Sequence, residues 1–139
     1  MRESKIFLTV DTVVIRVTAG KHFILLIKRK NAPFMNAWAL PGGFVNENED
    51  LEHAAIRELA EETGLEIQSA TQLKAFGSPQ RDPRHHTVSV AFLAFAQNDA
   101  VISAADDAID AKWFEIGALP TLAFDHLEII KFAMTKIPF

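Results

Sequence analysis

The sequence predicts an α/β (α+β) protein, a mixed sheet with helices packed on it, and three observations carry that prediction. Several short segments are β-branched or apolar with polar residues interspersed, two longer ones repeat their apolar residues at helical spacing, and turn residues punctuate the joins. The 139-residue chain is 49% hydrophobic with eleven Phe, which suffices for one well-packed core and is too short for two ordinary domains. A single domain over residues 1–139 is therefore expected.

Ile6 to Val17 (Ile6, Leu8, Val10, Val13, Val14, Ile15, Val17) reads as one long strand or two short ones, ended by the turn signal Ala19-Gly20-Lys21. His22 to Lys30 is a further strand with the apolar centre Phe23 to Ile27 and the cationic end Lys28-Arg29-Lys30. Pro33 and Pro41-Gly42-Gly43 frame Trp38-Ala39-Leu40 as a short, irregular approach. Between Asn48 and Thr63 the period changes to 3.6, with Leu51, Ala55 and Leu59 recurring on one face, so a helix is expected there. Either Asn46, with Glu49 three residues on, or Asn48 could cap its start, and Gly64 suits a left-handed stop. Leu65 to Phe76 and Thr87 to Phe95 read as strands separated by a long polar loop, residues 77–86. Lys112 to Glu115 resembles a short strand, and Phe124 to Ile137 carries Leu127, Ile130, Met134 and Ile137 as a core-facing helix.

Charge and cysteine usage exclude several classes of function. A net charge of −4 creates no field that attracts DNA, RNA or an anionic membrane, so neither nucleic acid nor membrane is expected as a partner. An anionic small-molecule substrate would need local cations, which makes a metal a natural suspect. The absence of cysteine removes disulfides, Cys-type zinc sites and thiol nucleophiles, and fits a reducing compartment. Met1 to Thr9 lacks the long apolar region of a signal peptide, and no apolar run approaches the roughly 20 residues that cross a bilayer. A cytoplasmic protein is expected.

Within the first helix, Glu58, Glu61 and Glu62 stand at i, i+3 and i+4, so their carboxylates leave roughly one face and repel one another. Acidic helix faces are usually just solvated. The surroundings decide otherwise: Gly43, Glu49 six residues on, Arg57-Glu58-Leu59, Glu61-Glu62 and Gly64-Leu65 match every fixed position of the Nudix box. At ordinary residue frequencies such a set co-occurs by chance on the order of once in 10⁹ starts, so the resemblance outweighs the solvated-face reading.

The Nudix resemblance implies an α/β/α sandwich with a mixed central sheet and a metal-dependent hydrolase acting on a nucleoside diphosphate derivative. Magnesium, with manganese able to substitute, suits clustered carboxylates on a rigid helix together with a backbone carbonyl of the Gly42-Gly43 loop. It would neutralise pyrophosphate charge and acidify an attacking water. By resemblance, Glu58 and Glu62 are primary metal ligands, Glu61 is a third ligand or the base, the Gly42 carbonyl is a further ligand and Glu49 supports them. Arg57, four residues before Glu61 and about two turns after Glu49, is placed to orient these carboxylates and need not touch substrate.

Lys28-Arg29-Lys30, Trp38 to Phe44, Pro79 to Arg84 and Val88 to Phe92 resemble prokaryotic ADP-ribose pyrophosphatases, in which a Pro is expected some fifteen residues beyond the box. Pro79 lies fourteen beyond Leu65. The resemblance implies cleavage of ADP-ribose to AMP and ribose 5-phosphate. Arg81 and Arg84 are candidate bidentate clamps for phosphate or ribose, or exposed loop charges, and Arg29 at a strand end leans toward substrate. His85 and His86 read as solvent-facing. Asp106 or Asp107 could supply a late-loop acid, although such acids are usually solvated. Trp38 and Phe44 could stack on a base, although an aromatic beside such a turn more often packs in the core.

The rival readings are a pyrophosphohydrolase of oxidised nucleoside triphosphates and a non-catalytic ADP-ribose-sensing Nudix domain. Retention of every box carboxylate and the lack of a basic helix-turn-helix segment before Phe139 favour catalysis. Homodimers are common among the enzymes this chain resembles, and a homodimer is an open expectation here.

Overall fold

The computed structural model describes residues 2–97, 102 and 108–137. Its strands are β1 (Phe7–Thr18), β2 (Lys21–Arg29), β3 (Trp38–Ala39), β4 (Gly42–Phe44), β5 (Thr71–Phe76), β6 (Thr87–Phe95) and β7 (Ala108–Glu115), and its helices are α1 (Leu51–Thr63) and α2 (His126–Met134). The expected mixed sheet is present. β1 runs parallel to β6 from Phe7 opposite Thr87 to Ile15 opposite Phe95, whereas the other pairings between these strands are antiparallel.

Hairpin β1–β2 turns on Ala19 (φ 52°) and Gly20 (φ 77°), between paired Thr18 and Lys21. Two successive left-handed residues make the type I′ turn whose twist suits adjoining strands, which explains the Ala-Gly signal. From the turn the strands pair only as far as Ile15 and Ile24, and then they part. The segment that follows β2 fills the wedge: β3 pairs with Ile27 and Lys28 of β2, and β4 with Thr9 to Asp11 of β1. β7 covers the other edge of β2. A cleft opens where the sheet splays.

Strand alternation sends Val10 and Val14 to one face and Val13 and Ile15 to the other. The first face meets Ala54, Ala55 and Leu59 of α1; the second meets Ile129, Ile130 and Ala133 of α2. Helices on both faces give the α/β/α layering. Among the described residues no helix is long and apolar enough to cross a membrane.

Four elements differ from their sequence-based expectation. Neither Asn46 nor Asn48 caps α1: the cap is Asp50, whose carboxylate accepts from Glu52 N–H at 3.1 Å, and Asn48 sits at φ 64° in the turn before it. Gly64 does end the helix in the left-handed region, its N–H bonded to Ala60 C=O. The strand expected from Leu65 begins only at Thr71, because Leu65 N–H is taken by the Thr63 hydroxyl and Ala70 N–H by Glu52, which tie the chain back to α1. β7 is longer than Lys112–Glu115 because pairing with β2 extends it. α2 begins at His126, since Phe124 adopts φ 52°, and Leu127 is 43% exposed while Ile129 joins Ile130 in the core.

Candidate active site

The Leu40–Gly43 turn brings backbone against side chains from two layers. Thr12 N–H donates to Pro41 C=O at 2.9 Å and Val45 N–H to Leu8 C=O at 3.1 Å. These bonds set the β1–β4 register so that Gly42 occupies a non-hydrogen-bonded position, with its N–H and C=O both turned away from β1. The N–H donates to Glu62 Oε1 at 2.8 Å, so the Gly42 carbonyl lies on the edge that faces Glu62. Glycine is required twice here by close approach. A Cβ on Gly42 would lie 2.5 Å from Asp11 Oδ1, and one on Gly43 would lie 2.5 Å from Glu58 Oε2.

Arg57 ties the acidic face together. Its Nε and Nη2 donate to the two oxygens of Glu49 at 2.7 and 2.8 Å, Nη1 to Glu58 at 2.7 Å and Glu61 at 3.2 Å, and Nη2 also to Phe44 C=O at 3.1 Å. The fork-to-fork pair holds the Glu49 carboxyl down at about 2. Glu49 additionally accepts from Asn46 N–H and contacts His53. Glu58 differs: burial pushes its carboxyl up against the opposing pull of Arg57. A half-buried carboxylate in that condition gains from a further cation.

Among the described residues no three His, Cys, Asp or Glu side chains converge into a ready-made metal cage. Glu58 lies against Gly43 and Arg57, Glu62 is buried against Gly42, and Glu61 stays 48% exposed on the helix. The donors are nonetheless all oxygen, two carboxylates beside one backbone carbonyl, which fits a hard divalent cation better than a soft one.

A cleft of about 510 Å³ collects most of the residues singled out in the sequence. Gly42, Glu58, Glu61 and Glu62 line it from β4 and α1, and Arg29, Arg81 and Arg84 from the end of β2 and the loop of residues 77–86. Arg57 and Glu49 stand behind the carboxylates, outside the lining. Arg29 and Arg84 flank the ring of Phe124, with guanidinium carbons 4.9 and 5.9 Å from its centroid. Arg29 Nε donates to Pro33 C=O at 2.8 Å, and its terminal nitrogens have no hydrogen-bond partner among the described residues. Burial and the charge of Arg84 both lower the pKa of Arg29, so an anion placed between them relieves the repulsion. Arg84 is paired with Asp82 at 2.8 Å.

Arg81 is neither an exposed loop charge nor a free clamp. Its side chain is buried, with Nε and Nη2 gripping Asp125 at 2.9 and 2.6 Å, so the edge of the guanidinium that would clamp an anion bidentately is already committed and Nη1 keeps its donors for a ligand. His85 stacks on Phe7 and bonds Thr87, His86 bonds Gly77 C=O, and neither lines the cleft. Trp38 packs edge-on against Phe114 in the core, whereas Phe44 is 46% exposed at the cleft wall. Asp106 and Asp107 lie outside the described residues.

Asp11, Phe124 and His126 are among the cleft residues that escaped the sequence reading. Asp11 accepts from the Ser89 hydroxyl, lies 3.6 Å from His126 Nε2 and 4.0 Å from Arg81. Burial drives the Asp11 carboxyl up and the His126 imidazole down, each opposed by the other's charge. A lone Asp inside the apolar run Val10 to Ile15 was the available signal, because an ionisable residue in a buried strand demands a partner. His126 and Phe124 carry no such mark.

Known proteins place this arrangement. An archaeal protein of Methanocaldococcus jannaschii described as an ADP-ribose pyrophosphatase is 42% identical over 131 residues, covering 94% of this chain and 77% of its own length. The Nudix domain of NrtR from Shewanella oneidensis, solved with ADP ribose, superposes with a TM-score of 0.91 at 33% identity, covering 98% of this chain and 91% of that one. A bifunctional NMN adenylyltransferase/ADP ribose pyrophosphatase from Francisella tularensis, solved with AMP and a manganese ion, superposes with a TM-score of 0.83 at 35% identity, covering 94% of this chain and 41% of that one. The NUDIX domain family matches residues 8–132, nearly the whole of the described fold and all of the acidic face, and the chain belongs to the Nudix family.

Proposed function

We propose that the protein hydrolyses the pyrophosphate bond of ADP-ribose, releasing AMP and ribose 5-phosphate, with magnesium or manganese as cofactor. The observation that carries this reading is a single cleft that joins the carboxylates and the Gly42 turn with Arg29, Arg84 and Phe124. Support for the substrate comes from the archaeal relative's description and from the ADP ribose held by the Shewanella domain. The manganese ion of the Francisella structure supports a divalent cation.

Glu58, Glu62 and the Gly42 carbonyl are assigned to hold the cation, which when bound supplies charge neutralisation of the pyrophosphate and an acidified water. Arg57 and Glu49 position the carboxylates. Glu61, exposed at the cleft and held among the described residues by a 3.2 Å contact with Arg57, is available as a further ligand or to accept the proton of the attacking water. Arg29 and Arg84 hold phosphate oxygens, and Arg81, with Nε and one N–H of Nη2 committed to Asp125, adds the donors of Nη1. A single domain acting in the cytoplasm on a small molecule, as a monomer or homodimer, completes the proposal.

The test is chromatographic product analysis with magnesium, with manganese and with chelator, over a panel of ADP-ribose, other nucleoside diphosphate sugars and oxidised dGTP. AMP and ribose 5-phosphate from ADP-ribose, lost with chelator, is the expected result. Pyrophosphate from oxidised dGTP as the dominant reaction replaces the substrate, and tight ADP-ribose binding without turnover replaces catalysis with sensing.

A further inference from the structure

Three successive backbone groups are anchored in the turn that presents Gly42. Pro41 C=O accepts from Thr12 N–H, Gly42 N–H donates to Glu62, and Leu40 N–H donates at 3.0 Å to Nδ1 of His126, 86 residues further on. The first two partners belong to β1 and α1. The third comes from the opposite face of the sheet.

β3 explains why a side chain is needed there. Trp38 bridges Leu122 in parallel: Trp38 N–H donates to Thr121 C=O at 3.3 Å, and Ala123 N–H donates to Trp38 C=O at 2.8 Å. The next rung of that ladder would join Leu40 N–H to Ala123 C=O. However, Ala123 C=O accepts from His126 N–H at 3.2 Å as the chain turns into α2. The imidazole of His126 takes the place of the missing rung. Leu40 and His126 are both buried, so Leu40 N–H has no water to turn to.

Pro41 makes the connection stiff. Its ring fixes one backbone torsion between the anchored Leu40 N–H and Gly42, so a displacement of Leu40 is transmitted instead of absorbed. Asp11 braces the same turn, its Oδ1 lying 3.6 Å from Nε2 of His126 and 2.5 Å from where a Cβ on Gly42 would stand.

We propose that His126 is a positioning residue of the metal site, latching Leu40 so that the Gly42 carbonyl stays beside Glu62. This assignment rests on the reading that Gly42 and Glu62 hold the cation. It requires an acceptor at the Nδ1 position and nothing else of the ring. Asparagine places Oδ1 near that position, whereas glutamine reaches the Nε2 position and leaves Leu40 N–H without a partner.

The experiment is Mn²⁺ binding to the full chain without nucleotide, read by electron paramagnetic resonance, for wild type, His126→Asn, His126→Gln and Glu62→Gln. Kinetics with ADP-ribose at graded manganese accompany it. His126→Gln is expected to weaken Mn²⁺ binding by roughly 10- to 100-fold, the range for outer ligand-orienting groups, with His126→Asn within about threefold of wild type. The activity lost in His126→Gln should return at saturating manganese with the KM for ADP-ribose unchanged. Wild-type Mn²⁺ affinity in His126→Gln beside a loss in Glu62→Gln overturns the latch and leaves the metal site standing. Equal weakening in the Asn and Gln variants also overturns it. Undiminished Mn²⁺ binding in Glu62→Gln overturns the metal-site reading itself. A nitrogen–nitrogen scalar coupling between Leu40 and His126 Nδ1 in the wild-type protein gives a check independent of any variant's folding, and its absence overturns the latch.

Discussion

The two faces of the cleft are built on opposite plans. The acidic side is one helix and the turn before it: Glu49, Arg57, Glu58, Glu61 and Glu62 lie within fourteen consecutive residues, and a single guanidinium joins three of the four carboxylates and the turn, with Glu62 held by Gly42. The floor on the α2 side gathers Asp11 from β1, Ser89 from β6, Arg81 from the long loop, and Asp125 with His126 at the start of α2. The first network is partly solvated and local, and its sequence spacing announces it. The second is buried and assembled from four separate places, and it shapes the backbone that the first one uses. The difference teaches that the residues offered to a ligand and the residues that hold the offering loop in place obey different rules of visibility.

The largest expected effect breaks the acidic side at its most buried member. Glu62→Gln keeps an oxygen for Gly42 N–H but removes a charge, so kcat/KM for ADP-ribose should fall by about 10³-fold, roughly 4 kcal/mol of transition-state stabilisation, with little change in Tm. Steady-state kinetics beside calorimetry measure both; near-wild-type turnover removes Glu62 from the metal site. Arg57→Ala should cost about 10²-fold in kcat/KM, the scale of ligand-orienting residues, and Arg57→Lys should recover little because an ammonium cannot span both oxygens of Glu49. Full recovery by Lys would mean that charge alone matters there.

The buried side should respond in stability first. Asp11→Ala strips the partner from Ser89 and His126 and is expected to cost about 2 kcal/mol, against a smaller loss for Asp11→Asn, which still accepts from Ser89. Urea unfolding of both variants checks the order, and equal losses would show that the Asp11 charge is what counts.

The smallest effect is a pH slope. His126 titrates near 6.5 when unfolded and lower when folded, because burial disfavours the imidazolium and Leu40 N–H occupies Nδ1. Asp11 and Asp125 face it and oppose the shift, while Arg81 and Arg29 reinforce it. Between those two pKa values the unfolded chain binds a proton that the folded chain refuses. Stability present above pH 6.5 is therefore lost as pH falls, by at most ~1.4 kcal/mol per pH unit. His126→Asn should flatten that part of the profile; an unchanged slope assigns the titration elsewhere.

What could be read in advance follows from these plans. The helix and its stop at Gly64 were legible because a 3.6-residue period and a left-handed glycine are local properties. The cap at Asp50 was missed although its chemistry is equally local, since Asn46, Asn48 and Asp50 compete and only the turn at Asn48 decides among them. Arg81 was legible as a loop cation but not as the partner of Asp125, 44 residues away. Asp125, at the start of α2, makes no side-chain capping bond to that helix because its carboxylate is turned to Arg81.

By itself the sequence determined the Nudix box, the oxygen-rich acidic face and the mixed α/β pattern, since each rests on spacing within one element or on the ordering of elements. Only the tertiary structure decided that β1 and β2 part to open a cleft, that Arg29 and Arg84 flank Phe124 across it, and that His126 completes the hydrogen bonding of Leu40. Those contacts join residues brought together by sheet register and by a chain reversal ahead of α2. Buried donors such as Leu40 N–H must find a partner, but which side chain reaches them depends on where distant backbone is packed.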